Sequence, residues 1–382
     1  MIHTNIMSKL PSVGTSIFSV MSKMAIEHSA INLSQGFPNF PIDEKLTAIH
    51  SRIVLEAQSN QYCPMVGHPQ LLEGVKNLIL NSYNRNVDVS TDLLITSGAT
   101  QAIFTILQAL AENGDEVIVL DPCYDSYESA IVLSGAKPIH VSLNENYLPD
   151  WNAIEKAITP KTRFIITNDP HNPSGRIWTE RDYEALETLI EKNPKLLVLS
   201  DEVYEYITFE KKHISINERP KLFERALSVS SFGKTFHITG WKIGYIVAPK
   251  YLMDEIKKVH QFLVFCVNST AQATLAAYLN EVNVKELGAF YQNKRNLFQS
   301  LLQESRFELL PSEGTYFQLA SYENISKEDD VTFTKRLLTD YKVATIPVSV
   351  FNNDGRDLKH IRFCFAKTDE TLIQAAEQLK KI

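Results

Sequence analysis

The pattern of apolar residues changes near residues 90 and 250 of the chain. Between these points, short and continuous apolar runs alternate with stretches of helical periodicity. Such runs are typical of strands that are buried on both faces. They predict strands over 93–96, 116–120, 137–141, 163–167, 196–200 and 226–230, with helices over 99–111 and 125–133. The alternation predicts a mostly parallel sheet covered by helices.

A further strand over 243–247 follows its predecessor too soon for a helical crossover, so we expect it to be antiparallel. Beyond residue 250 the pattern predicts long helical regions over 251–280 and 284–305. Short strands over 307–310, 316–319, 343–346 and 359–363 follow, with helices near 329–340 and 369–380.

Together these elements predict an α/β fold. A large domain, 46–280, contains a mostly parallel seven-stranded sheet, and a smaller α+β domain occupies 281–382. The N-terminal segment, 1–45, is too short to fold alone and is expected to pack with the small domain. The carboxyl ends of the strands in such a sheet border a crevice where ligands bind.

Composition and charge exclude several classes of protein. The 382 residues exceed the usual size of one hydrophobic core, and the net charge of −7 is spread along the chain. No basic face for nucleic acid or a membrane surface is expected. We find no apolar run typical of a signal peptide or a membrane span. The cysteines lack the spacing of a disulfide framework or metal site, which predicts a cytoplasmic protein with reduced thiols and no metal. They are Cys63, Cys123, Cys266 and Cys364.

Two lysines follow the last parallel strand. Lys234 lies among small residues directly beyond the strand, and Lys242 lies in the turn Gly-Trp-Lys-Ile-Gly that precedes the antiparallel strand. Two lysines around a glycine-rich turn suggest one covalent anchor and one phosphate contact. Taken alone, Lys234 is equally compatible with an exposed position in a polar loop.

A carboxylate, Asp201, follows a wholly apolar strand. Burying it without a partner is costly, so a specific partner is expected. Further ligands for a metal ion are lacking nearby. The protonated nitrogen of a pyridine cofactor would be a suitable partner, and such a ring is the electron sink that carbanion chemistry at an amino-acid α-carbon needs.

Three more segments carry candidate chemistry. Asn172 lies in an Asn/Pro-rich turn after a strand, which fits either a plain β-turn or an amide directed at a ligand. Residues 96–101 join a strand to a helix whose first N–H groups would bind phosphate. Arg362 interrupts an apolar strand and suits a carboxylate, although an exposed edge position is also compatible.

Taken in order, these segments resemble the class I/II aminotransferases of the fold-type I pyridoxal-phosphate superfamily, over residues 13–380. Residues 32–38, 231–242, 314–317 and 362–367 are most similar to the methionine and kynurenine (glutamine transaminase K-like) branch. The resemblance implies transfer of the amino group of an apolar, sulfur-containing or aromatic L-amino acid, methionine-type preferred, to a 2-oxo acid.

The resemblance also implies a set of cofactor contacts. Lys234 would be the Schiff-base lysine and general base, and Asp201 the partner of the pyridine nitrogen. Asn172 and Tyr204 would donate hydrogen bonds to the phenolic oxygen. The remaining implied contacts are Ala99 and Thr100 (backbone), Tyr124 stacked on the ring, Ser231 and Lys242 at the phosphate, and Tyr62 at the phosphate of the neighbouring subunit. A homodimer is therefore implied.

Substrate contacts are implied as well. Arg362 would bind the α-carboxylate, assisted by the backbone of Gly36 and by Asn172. Phe18 aligns with a substrate-facing tryptophan of the kynurenine enzymes. Phe265, followed by Cys266, stands where vertebrate kynurenine enzymes carry Phe-His. None of these side-chain contacts is charged apart from Arg362, so an apolar pocket is expected.

Alternatives remain open on the same fold. Kynurenine–oxoglutarate transamination and cysteine-S-conjugate β-lysis share the lysine and the carbanion chemistry. A non-catalytic ligand-binding regulator is a different class of protein. It would need a DNA-binding domain before residue 30 and a basic face, and neither is found in the sequence.

Overall fold

The structure, a computed structural model, describes residues 7–11 and 13–382. Residues 1–6 and 12 of the predicted N-terminal segment lie outside the described residues. The strands of the described chain are β1 (Ile31–Asn32), β2 (Leu93–Thr96), β3 (Glu116–Asp121), β4 (Lys137–Ser142), β5 (Thr162–Asn168), β6 (Leu197–Asp201), β7 (Ala226–Ser231), β8 (Gly244–Val247), β9 (Glu308–Leu309), β10 (Phe317–Ser321), β11 (Val343–Ala344), β12 (Ile346–Pro347) and β13 (His360–Cys364).

Its α-helices are α1 (Ile17–Glu27), α2 (Glu44–Ile53), α3 (Pro69–Tyr83), α4 (Gly98–Leu110), α5 (Ser126–Leu133), α6 (Trp151–Ala157), α7 (Glu180–Lys192), α8 (Phe232–Thr235), α9 (Lys250–Leu263), α10 (Ser269–Tyr278), α11 (Leu287–Leu302), α12 (Asp330–Tyr341) and α13 (Asp369–Leu379). In the part of the chain that is described, none of these helices has both the length and the apolar character needed to cross a membrane.

The large sheet has the strand order β2-β8-β7-β6-β5-β3-β4. Its pairs are parallel except those of β8, which runs antiparallel to both β2 and β7. The short connection from β7 to β8 contains the single turn α8 and a 3₁₀ turn, Thr239–Trp241, which is too little for a parallel crossover. The predicted α/β fold and mostly parallel seven-stranded sheet are confirmed.

Continuous apolar strands arise because both faces of this sheet are covered. In β5, Phe164 and Ile166 pack in a cluster with helices α4, α5 and α9. Ile165, between them, packs on the opposite face with residues of α7, such as Leu186. Successive side chains of a strand point to opposite faces, so the central positions of a doubly covered strand are apolar on both faces.

A second sheet, with the order β12-β13-β10-β9, is antiparallel. The N-terminal segment joins this part of the molecule, because β1 pairs in parallel with β11, with Ile31 opposite Val343. Helix α1 buries Met21 and Ala25 in a cluster with Leu338 of α12. Domain boundaries at residues 45 and 280 stay a prediction.

Two predicted elements differ from the structure. The helical region predicted over 251–280 is divided into α9 and α10, because Phe265 adopts a left-handed backbone (φ 65°) and the Asn268 side chain caps α10 by accepting from the Ala271 N–H. The strand predicted over 343–346 is likewise two short strands, since 343–344 pair with β1 whereas 346–347 pair with β13.

Candidate active site

A cleft lies at the carboxyl ends of the parallel strands, between the large sheet and the second sheet. All but two of the residues predicted for the site line it. They are Phe18, Gly36, Ala99, Thr100, Tyr124, Asn172, Asp201, Tyr204, Ser231, Lys234, Lys242 and Arg362. The parallel topology explains the convergence of those that come from the large sheet, because residues at the carboxyl ends of neighbouring strands emerge at one edge of the sheet. Phe18, Gly36 and Arg362 come from other segments.

Lys234 lies in α8, directly after β7. Its Nζ donates to the Tyr316 hydroxyl at 2.9 Å and to the Gly36 carbonyl at 3.2 Å. Burial, with the nearby Arg362 and Lys242 charges, lowers the pKa of Lys234 to about 8. A substantial fraction of this amine is therefore neutral near physiological pH, which suits a nucleophile and a base.

Asp201 ends β6 and is buried. It accepts hydrogen bonds from the Tyr127 hydroxyl at 2.6 Å and from the Val203 N–H at 3.3 Å. Burial raises the pKa of Asp201 to about 6. None of the ion pairs within residues 13–382 involves this carboxylate, although it lines the cleft. A protonated ring nitrogen in the cleft would supply the cationic partner.

The start of α4 forms a cradle for an anion. Gly98 has φ 74°, and a Cβ there would lie 3.2 Å from the Lys242 Cε. A Cβ on Gly244 would lie 3.2 Å from the Ala99 backbone nitrogen. The absence of side chains at both glycines thus keeps the helix start open to the lysine and to Ser231. Helical N–H groups, an ammonium and a hydroxyl together suit a phosphate.

Asn172 and Arg362 connect the two sheets. The Arg362 guanidinium donates from Nη1 to the Asn172 Oδ1 at 2.7 Å and from Nη2 to the Ser34 carbonyl at 3.2 Å. It is 1% exposed, and within the described chain its buried Nε has no hydrogen-bond partner. Burial lowers the pKa of Arg362, so its charge is held at a cost. A buried guanidinium with neutral partners and a spare N–H suits a carboxylate ligand.

Aromatic rings surround this guanidinium. The ring centroid of Phe317 lies 3.9 Å from the Arg362 Cζ, and that of Phe18 lies 5.3 Å from it. Phe18 is held by its carbonyl, which accepts from the Gln35 Nε2 at 3.0 Å. Tyr204 also lines the cleft, and burial raises the pKa of its phenol, so it remains a protonated donor.

Tyr62 and Phe265 lie away from the cleft of their own chain. Tyr62 is 82% exposed and Phe265 is 53% exposed, and their rings meet edge-to-face at 5.3 Å. Neither is among the residues that line the cleft with Lys234. Their contribution to a neighbouring subunit stays a prediction.

Cys63 and Cys266 lie beside these two aromatics, with their sulfur atoms 3.5 Å apart. The four cysteines are free thiols. Cys63 and Cys266 are 203 residues apart in the sequence, so their proximity could not be predicted from their spacing. Elsewhere in the described chain, Asp121, Cys123 and His140 bring potential metal ligands within 4.8 Å of one another, but His140 Nδ1 already lies 3.0 Å from both Asp121 oxygens, in an arrangement that needs no metal.

Sequence reasoning missed several residues of the site. Tyr127 holds Asp201, Tyr316 contacts Lys234, and Phe317 packs on Arg362. Tyr316 and Phe317 belong to residues 314–317, Gly-Thr-Tyr-Phe, which indicate the family but no individual role. Tyr127 is three residues beyond Tyr124 at a helix start, and this i, i+3 spacing places the two rings together.

Comparison with known proteins gives a consistent result. The family model "Aminotransferase class I and II" matches residues 28–379. Methionine aminotransferase of Escherichia coli strain K12 is 45% identical over 379 residues, covering 98% of each chain. Kynurenine–oxoglutarate transaminase of Dictyostelium discoideum is 30% identical over 412 residues, covering 97% of this chain and 95% of that protein.

Solved structures agree with these relatives. A crystal structure from Escherichia coli, described as having a methionine aminotransferase function, superposes with a TM-score of 0.96 at 44% identity and covers 100% of both chains. N-succinyldiaminopimelate aminotransferase from Mycobacterium tuberculosis gives a TM-score of 0.94 at 31% identity, covering 98% of this chain and 99% of that one.

Proposed function

The chain belongs to the class I and II aminotransferases, which use pyridoxal phosphate, and from that premise we propose that it transfers the amino group of a methionine-type amino acid to a 2-oxo acid. Apolar, sulfur-containing and aromatic L-amino acids form the proposed donor class. The observation that carries the proposal is the buried Arg362 guanidinium, set among aromatic rings and neutral partners.

The residues of the cleft fit pyridoxal phosphate. When bound, this group supplies a protonated pyridine ring that accepts electrons from the substrate α-carbon. The start of α4, Ser231 and Lys242 would hold its phosphate. Asp201 would keep the ring nitrogen protonated, since a carboxyl with a pKa of about 6 is ionised at neutral pH.

Lys234 is proposed as the covalent anchor and as the group that moves the α-proton. Its lowered pKa lets the amine accept a proton at neutral pH, and its burial keeps bulk water away. Asn172 and Tyr204 line the same cleft and are proposed to donate to the phenolic oxygen.

The substrate carboxylate is assigned to Arg362, whose Nε and fork geometry are suited to it. Among the described residues that line the cleft, the cations are Lys234, Lys242 and Arg362, and each has a role already. A second carboxylate on the substrate would therefore be buried without a partner, which is strongly disfavoured. Phe18 and Phe317 instead offer apolar surface, worth about 25 cal/mol per Å² buried.

Assembly and location belong to the same proposal. Tyr62 and Phe265 form an exposed aromatic pair that is proposed to reach the site of a second copy, giving a homodimer with shared sites. The free thiols support a cytoplasmic location.

A donor panel tests the proposal. We expect kcat/KM with one fixed 2-oxo acid to be highest for methionine, lower for phenylalanine and kynurenine, and at least about 100-fold lower for aspartate, because of its unpaired carboxylate. Phe18→Leu is the matched variant, since it keeps an apolar wall and should change only the ratio of aromatic to aliphatic donors.

Other outcomes identify the alternatives. Kynurenine as the best donor would favour the activity that the 30% identical relative is named for. Release of pyruvate and ammonia from a cysteine S-conjugate, without added 2-oxo acid, would reveal β-lysis. If aspartate were the best donor, the apolar-pocket proposal would be wrong.

A further inference from the structure

A buried histidine bridges two buried carboxylates next to the active-site cleft. His213 lies in the connection between β6 and β7. Its Nδ1 is 2.9 Å from Asp169 Oδ2, and its Nε2 is 3.3 Å from Glu202 Oε2. An ionised carboxylate can only accept, so when both carboxylates are ionised each ring nitrogen donates to one of them and the ring is an imidazolium.

The electrostatics support this protonation. Burial alone would lower the pKa of His213, but its hydrogen bonds to the two carboxylates raise it to about 10. The carboxylates have further donors. Asp169 accepts from the Trp178 N–H at 3.0 Å and the Tyr183 hydroxyl at 2.9 Å. Glu202 accepts from Ser200 Oγ at 3.0 Å, from the Ile216 N–H at 2.9 Å and from Ser215 Oγ.

Each carboxylate neighbours a residue assigned to the cofactor. Glu202 follows Asp201 directly, and Asp169 belongs to the loop that carries Asn172. The two chain segments are also tied by Asn168, whose Nδ2 donates to the Asp201 carbonyl at 3.0 Å while its Oδ1 accepts from the Asn172 N–H at 2.9 Å. They are therefore joined by the β5–β6 ladder, in which Asn168 is opposite Asp201 and the Asp169 N–H donates to the Asp201 carbonyl at 3.3 Å. Beyond the ladder they are joined by the Asn168 amide and by the ionic bridge.

We propose that His213 is a positioning residue, whose bridge between Asp169 and Glu202 fixes the separation of Asn172 and Asp201. This inference rests on the proposed function, which assigns those two groups to the cofactor ring. Small displacements of groups that orient a reacting centre are costly, on the order of 100-fold in rate for about 1 Å. His213 itself does not line the cleft.

Removing the imidazolium has a defined consequence. Two buried carboxylates would remain close together without their common cation, and one of them would take up a proton or move away. Either response shifts the residue beside it. A histidine that served stability alone would leave the cofactor's environment unchanged.

The experiment compares His213→Gln with the wild-type holoenzyme and with His140→Gln. His140 is the matched control because its ring also faces a buried carboxylate, Asp121, at 3.0 Å, while the other bond of that carboxylate goes to the Asn353 N–H. The readouts are kcat, the KM for methionine, the melting temperature, and the pH midpoint of the bound cofactor's visible absorbance.

We expect His213→Gln to lower kcat about tenfold or more, to change the methionine KM less than about threefold, and to move the absorbance midpoint. His140→Gln should lower the melting temperature alone. Wild-type kcat and absorbance in His213→Gln, with only a lower melting temperature, would overturn the proposal. If that variant does not fold, the double variant His213→Gln/Glu202→Gln removes one stranded carboxylate and is expected to show the same kinetic and spectral changes.

Two further arms separate this inference from the proposed function. Asp201→Asn with wild-type kcat and absorbance would reject the role of Asp201, and the positioning claim would fall with it. A defective Asp201→Asn beside a normal His213→Gln would reject the positioning claim alone. Independently of catalysis, ¹H–¹⁵N spectra of histidine-labelled wild type at pH 8 should contain two slowly exchanging ring N–H signals for His213, and a neutral ring would overturn the proposal.

Discussion

The two ends of the cleft differ in how many separate parts of the fold contribute to them. At the large sheet, Asn172 follows β5, Asp201 ends β6 and Lys234 follows β7, and these are adjacent strands of one sheet. At the opposite end, Phe18 comes from α1 and Gly36 from the loop after β1, while Arg362 comes from β13 of the second sheet. One end is fixed by a single hydrogen-bonded framework, and the other depends on how three separate segments pack.

This difference indicates which end of the cleft performs the chemistry and which end binds and selects the substrate. The groups assigned to the cofactor are held by buried bonds within the large sheet, such as Tyr127 to Asp201. The substrate end meets that framework through bonds between separate segments, such as Arg362 to Asn172 and Lys234 to the Gly36 carbonyl. Substitutions at the first end should abolish the reaction, whereas those at the second should weaken substrate binding or change which amino acid reacts.

The largest effect is expected at the sheet end, from Lys234→Ala. Loss of the anchor and base should lower kcat on the order of 10⁴-fold or more, while the phosphate cradle still binds the cofactor. Borohydride treatment of the wild type should attach the cofactor to the peptide that contains Lys234, as mass spectrometry can establish. Lys242→Ala is the control, and it should weaken cofactor binding yet keep the label on Lys234. Label found on Lys242 in the wild type would refute the assignment.

A smaller effect is expected at the substrate end, from Arg362→Lys. The ammonium keeps the charge but lacks the guanidinium fork, so the KM for every amino donor should rise about 100-fold. Affinity for the cofactor should change little, which fluorescence titration can check. A uniform rise in KM would support the view that this end of the cleft binds the substrate and not the cofactor. A loss of cofactor affinity as large as that of Lys242→Ala would contradict it.

The smallest effect is expected from Tyr62→Phe, which removes one hydroxyl from the exposed aromatic pair. If this hydroxyl donates to the phosphate of a neighbouring subunit, its loss should weaken cofactor binding about tenfold, as expected for one hydrogen bond to a charged group. Phe265→Leu is the paired control, expected to leave cofactor affinity intact. Light scattering should find a dimer in each case, and a fully active monomer would contradict the shared site.

Much of the sheet end could be predicted from the sequence. Apolar runs marked the strands, and parallel topology brings the residues that follow them to one edge. Asp201 and Lys234 were therefore located by local signals. Arg362 could be identified because a charged residue interrupts an apolar strand. Nothing in the nearby sequence indicates that it bonds to Asn172.

Other features depend on contacts that the sequence does not encode locally. The split of residues 343–346 reflects tertiary pairing, which overrides strand propensity. His213 is a single histidine in a polar loop, and its bridging position becomes visible only in the folded structure, where Asp169 and Glu202 lie next to it. Tyr62 would require a second chain.

The pairing of β1 with β11 imposes an order on the folding of the nascent chain. Ile31 is made early and Val343 almost last, so strands β2 to β8 leave the ribosome long before the N-terminal segment has its partner. Domains generally fold as units during synthesis, and contacts of such high sequence separation form slowly. Throughout that interval Met21, Ala25 and Leu33, all buried in the finished molecule, lack the C-terminal residues that pack against them. The N-terminal segment, which completes the substrate end of the cleft, is thus synthesised early but buried late.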